Sequence, residues 1–210
     1  MYGTYEHDLD IQYHKKEAMG RMVGSDIKRK GYLNLNKFSR VTEDIDVGIP
    51  QLKWTFDYFQ SNVPVGLHTD YFVNDENYEV VAGIVIPLYW TCKQPYSITF
   101  DKFSNEKLMF KNGAMRNSDN TTVINWQTHQ YWDSALNLHF PKGVKYRKQM
   151  WDLKVADVYK WKEGTAFVFN TKQWHTSSWF LESNTLPNRI GGKWKMAIIG
   201  FGSRKKLPFS

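Results

Sequence analysis

The stretch VVAGIVIPLYW, residues 80–90, limits the possible folds of this chain more than any other. It is nearly continuous in apolar residues and far too short to cross a membrane. A run of this kind is what a β-strand buried on both faces looks like. Around it the pattern is one of short apolar runs separated by turn signals. QLKWTFDYF alternates, VPVGLHTDYF follows it, and YSITFD and KLMFK are divided by a polar turn. GTAFVFN, WHTSSWF and KWKMAIIGFG resume the strand pattern toward the C-terminus. About eight strands in this order predict a mainly β chain, a sandwich or small barrel with few helices. A short helix is expected near Lys15 to Val23, and NWQTHQYWDSALNLHF, which lacks alternation, reads as helix or loop.

With 210 residues, no repeats and no linker rich in Gly, Pro or Ser, the chain is read as one domain. Residues 1–51 form a mixed N-terminal extension, 52–203 the β core, and 204–210 a basic tail. The single cysteine, Cys92, excludes an internal disulfide framework and fits a reducing compartment. The first twenty residues contain no apolar segment of the secretory kind. A soluble cytoplasmic protein that does not engage a membrane is the expectation. The net charge of +7 is spread along the chain. It reads first as solvated faces plus a basic tail, and second as weak affinity for an anionic substrate or nucleic acid.

Within GLHTDYF, His68 and Asp70 stand two residues apart in a stretch that reads as strand, so they leave the backbone on one face while Thr69 leaves on the other. Side chains so placed can converge on a metal ion or simply hydrogen-bond each other. A His-x-Asp spacing alone decides nothing. Three further features add to it. His175 heads a strand after the run EGTAFVFN, the His-x-Asp comes early in the β region and His175 late, and Lys195 lies on the terminal strand two before the small Ala197. Each also has a plain structural reading, His175 as a hydrogen-bonded surface residue and Lys195 as a solvated one. Together, two His and one carboxylate make the facial set that suits Fe(II) and leaves coordination positions open. A buried cation would pair with the far carboxylate of a dicarboxylate cosubstrate. His7, His14, His129 and His139 have no comparable setting, and Tyr71 and Trp174 read as core.

On these motifs, GLHTD, IVIPLYW and EGTAFVFNTKQWHTSSWF, residues 52–203 resemble the Fe(II)- and 2-oxoglutarate-dependent dioxygenases. The nearest flavour is the small phytanoyl-CoA-hydroxylase-like or prolyl-hydroxylase-like enzymes common in bacteria and phages. The resemblance implies a double-stranded β-helix (jelly-roll) fold and Fe(II) held by His68, Asp70 and His175. It also implies a basic residue binding 2-oxoglutarate: Lys195 first, Arg189 of the loop SNTLPNRIGG second, Lys193 third. Asn170 is a further candidate for contacting the cosubstrate, and aromatic residues of NWQTHQYWDSALNLHF for forming a lid.

The activity this implies is hydroxylation of a C–H bond in a small molecule or protein side chain. Two other readings stay open: a metal-binding jelly-roll module without oxygenase activity, and a basic nucleic-acid-binding β-domain, whose affinity would fall steeply with salt. The aromatic and basic alternation on one sheet expected of the latter is missing from the sequence.

Overall fold

The structure, a computed structural model, describes residues 3–6, 9–23, 36–71, 77–105, 107–111, 114–116, 122–125, 131–144, 147–181 and 194–206. Among these, the elements in chain order are β1 (Gly3–Glu6), α1 (Ile11–Val23), β2 (Asn36–Arg40), β3 (Lys53–Ser61), β4 (Tyr78–Trp90) and β5 (Tyr96–Phe103). Then come β6 (Met109–Lys111), β7 (Ala114–Arg116), β8 (Thr122–Asn125), β9 (Val155–Lys160), β10 (Thr165–Asn170), β11 (Gln173–Ser177) and β12 (Lys195–Lys205). The chain is mainly antiparallel β and forms a jelly-roll. Its larger sheet has the order β1-β10-β4-β12-β3-β2, a smaller one the order β11-β5-β9, and β6-β7-β8 a third.

The apolar run VVAGIVIPLYW lies inside β4, flanked by β10 and β12, and is buried on both faces. On one face Ile84, Ile86 and Leu88 pack with Phe56, Tyr58, Met196, Ile198 and Ala18 of α1 in a contiguous core. Its other face contributes Val85 to the space between the sheets, against Phe167, Phe169 and Ile199. Pro87 has no N–H for the ladder, and it sits opposite Ala197 where the β4–β12 register shifts. A second core joins Leu67, Phe100, Leu136, Phe140, Met150, Trp174 and Phe180 behind the smaller sheet.

Several elements differ from the sequence expectations. The helix starts at Ile11, one turn earlier than expected, and its His14 is buried with Nδ1 2.8 Å from the Tyr58 hydroxyl. Residues 3–6 and 36–40 form the two edge strands of the larger sheet, and β12 runs on to Lys205, where Arg204 pairs with Glu79 at 3.0 Å. The stretch 62–71 is not a regular strand. It is an extended connection that makes one isolated bridge, His68 to His175, and further single bonds from Thr69 N to Leu108 O and Asp70 N to Thr171 O. Pro64 and Gly66 interrupt the run, and β11 follows it only from Val65, which accepts from Ser177 N at 3.0 Å, to His68. Residues 131–140 hold a short 3-10 turn at Ser134–Leu136, and Leu136 and Phe140 are fully buried in the second core. Of the aromatic residues named for a lid, Phe140 packs in that core, Tyr131 is exposed, and Trp126 and His129 lie outside the described residues. Among the described residues no helix is long and apolar enough to cross a membrane.

Candidate metal centre

Alternation survives in the irregular connection that carries the His-x-Asp pair. Thr69 is fully buried on one side, its Oγ1 accepting from Leu108 N at 2.8 Å, so His68 and Asp70 emerge on the other. His175 is brought to them by paired backbone bonds, each His68 and His175 amide donating to the other's carbonyl at 3.0 Å. The imidazole centroids are 4.2 Å apart. His68 Nε2 lies 3.5 Å from Asp70 Oδ1, and His175 Nε2 lies 3.2 Å from Asp70 Oδ2. One ligand atom from each residue falls within 4.8 Å of the others.

The backbone fixes which nitrogen of each ring carries hydrogen. His68 Nδ1 is 2.6 Å from Gly66 O and His175 Nδ1 is 2.9 Å from Gln173 O. A carbonyl oxygen only accepts, so both Nδ1 atoms are donors and both Nε2 atoms of the neutral rings are bare lone pairs. Two lone pairs and a carboxylate therefore face one another with no hydrogen between them. A proton can relieve this, but burial, with His175 beside it, pulls His68 down to about 4. Burial pushes the Asp70 carboxyl up, yet His68, His175 and Lys107 outweigh it and hold that group well below the usual carboxylate range. A divalent cation relieves the same repulsion without a proton, and a second hydrogen bond at Nδ1 is the usual support of a metal-bound imidazole.

Phe169 lies against the His175 ring, the centroids 4.5 Å apart. It can do so because Gly83 lies beneath it; a Cβ there would overlap the phenyl ring.

The triad opens on a cavity of about 400 Å³ between the sheets. The larger sheet lines it with Phe59, Val85, Phe167, Phe169 and Ile199, and the smaller with Ser97, Thr99, Thr176 and Ser177. Lys195 reaches into it from β12 and is 1% exposed. Its ammonium donates to Ser177 Oγ at 2.7 Å and sits 4.4 Å from the Trp161 ring centre. No carboxylate among the described residues pairs with it, and burial lowers it to about 7. Aromatic faces and one hydroxyl compensate a buried ammonium only in part, so an anion entering this corner would pair with it and favour its charged form.

Thus His68, Asp70, His175 and Lys195 meet in one cavity. Asn170 does not join them; its Oδ1 accepts from Lys172 N at 2.9 Å in the turn after β10. Arg189 and Lys193 lie outside the described residues, as do His7 and His129. Trp174 is 1% exposed in the second core, and His139 packs its ring on Tyr96. Ser177 and Thr99 were not singled out by sequence. Their strands alternate legibly, but alternation does not say which face meets a site. A larger depression of about 600 Å³, lined by residues 40–56, holds none of the predicted site residues.

No family model matches the sequence, and no curated protein sequence does. Solved structures of similar fold include the epimerase SnoN in complex with Fe3+, alpha-ketoglutarate and nogalamycin RO, with TM-score 0.50 at 9% identity over 96% of this chain and 78% of that one. The chain has the jelly-roll fold. A prolyl-4-hydroxylase from Pseudomonas putida aligns with TM-score 0.44 at 9% identity over 98% of this chain and 93% of that one.

Proposed function

We propose that this chain is a non-haem Fe(II)- and 2-oxoglutarate-dependent oxygenase that hydroxylates a C–H bond of a small molecule or protein side chain. The observation that carries this reading is the convergence of two bare Nε2 atoms and one carboxylate at a cavity, both rings fixed through Nδ1. Such a donor set, all nitrogen and oxygen with open positions, suits Fe(II) among the divalent metals. His68, Asp70 and His175 would hold the metal. Lys195 and Ser177 would hold the distal carboxylate of 2-oxoglutarate, a charge-assisted contact at a buried corner of the cavity. When bound, iron and 2-oxoglutarate supply the oxidising chemistry with O₂, and the protein supplies binding and orientation. With Asp70 present, no ligand position is vacated for halide, which favours hydroxylation over halogenation.

The aromatic wall of Phe59, Phe167 and Phe169 would keep water from the reacting centre. The test is formation of succinate from 2-oxoglutarate by the Fe(II)-loaded protein. It should stop on chelation and in Asp70→Ala; turnover that continues without metal would refute the proposal.

A further inference from the structure

Thr99 lies at the centre of the smaller sheet, directly opposite His175 in the β5–β11 register. Residues paired in this way project from the same face, with Cβ atoms about 5 Å apart. Thr99 is 1% exposed and lines the cavity. Its Oγ1 is buried and has no hydrogen-bond partner among the described residues. Every other buried serine or threonine hydroxyl there has one. An unpaired buried hydroxyl lowers stability, and valine would fill the same shape without that cost. On the wall of the cavity, such a hydroxyl can take a partner that a ligand supplies.

Its position says what. One pair further along the same face, Ser97 lies opposite Ser177, whose Oγ accepts from Lys195. Two residues of strand separate the two pairs by about 7 Å. The smaller sheet thus offers a cationic end at Lys195 and Ser177, and, about the length of a five-carbon dicarboxylate away, a metal-side end at His175 and Thr99. The oxygens of a 2-oxo acid are acceptors only, so the threonine is the donor. Its β-branched side chain has few rotamers to lose on binding.

We infer that Thr99 positions the cosubstrate, donating Oγ1–H to the 2-oxo-acid end of 2-oxoglutarate beside His175 while Lys195 and Ser177 take the distal carboxylate. This rests on the proposed function, and it divides the recognition of one molecule between two residues that can be tested separately.

The test is calorimetry on the Mn(II)-loaded protein with three probes: 2-oxoglutarate, pyruvate, which lacks the distal carboxylate, and glutarate, which lacks the oxo group. Thr99→Val should weaken 2-oxoglutarate and pyruvate about tenfold each, the loss of one hydrogen bond to the 2-oxo-acid group that both carry. Thr99→Ser, which keeps the hydroxyl, should retain most of the affinity. Lys195→Met should give the complementary pattern, weakening 2-oxoglutarate and glutarate but not pyruvate. The metal-free Thr99→Val protein should melt no lower than wild type and bind Mn(II) equally well. Wild-type affinity for both 2-oxo acids in Thr99→Val overturns the inference alone, as does a lowered melting temperature with weakened Mn(II) binding, which marks a structural role. A wild-type protein that binds no 2-oxoglutarate overturns the proposed function and this inference with it.

Discussion

Lys195 is the residue whose placement costs the fold most directly. Its ammonium falls from the ordinary 10.5 to about 7 because burial strips its hydration. Between those values the unfolded chain binds more protons than the folded one, so stability rises with pH across that window. Denaturant titrations should show the metal-free protein gaining stability from about pH 7 toward pH 10, on the order of a few kcal/mol. Lys195→Met should lack this rise; an identical pH profile would show that the ammonium is not buried. Ligand binding has the opposite sign. A dicarboxylate favours the charged amine, so above about pH 7 its binding should take up a proton and weaken as pH increases. Calorimetry in two buffers of different ionisation heat reads that uptake directly. Lys195 was legible from alternation on its strand, since Lys195, Ala197 and Ile199 share a face. Thr99 was not, because its meeting with His175 depends on a register between segments 76 positions apart in the chain.

At the scale of elements, the apolar or alternating runs of the sequence coincide with β3, β4, β5, β6, β10, β11 and β12. The short edge strands β1 and β2 were not read, because GTYE and NKFSR carry too little apolar pattern to mark a strand. The connection 62–71 has the composition of a strand, but Pro64 and Gly66 interrupt it and its pairing with β11 is confined to Val65–His68. The Gly83–Phe169–His175 stack gives β4 and β10 a role in orienting the centre. Gly83→Ala should displace Phe169 toward His175 and weaken Mn(II) binding several-fold, by titration, with the protein still folded; unchanged affinity would mean the ring does not set the ligand. The segment 131–140 makes a contrasting claim. Phe140 is fully buried, so Phe140→Ala should lower stability by about 3–5 kcal/mol in chemical denaturation. A loss under 1 kcal/mol would show that the Phe140 ring is not part of the core.

For the whole molecule, the sheets divide the labour. Two apolar cores, one between α1 and the larger sheet and one behind the smaller, are built without His68, Asp70 or His175. The site between them therefore sits on a scaffold held by apolar burial, the arrangement in which an open metal site can lose a ligand and leave the fold intact. The polar wall and the aromatic wall of the cavity come from different sheets, so the jelly-roll closure itself makes the site. The central claim is that His68, Asp70 and His175 hold one divalent metal. Titrating Mn(II) into wild type and Asp70→Ala by calorimetry, with melting curves for both, tests it most directly. One equivalent bound by wild type, none detectable in Asp70→Ala and closely similar metal-free melting temperatures are the predicted result; equal Mn(II) affinity in the two proteins would contradict it.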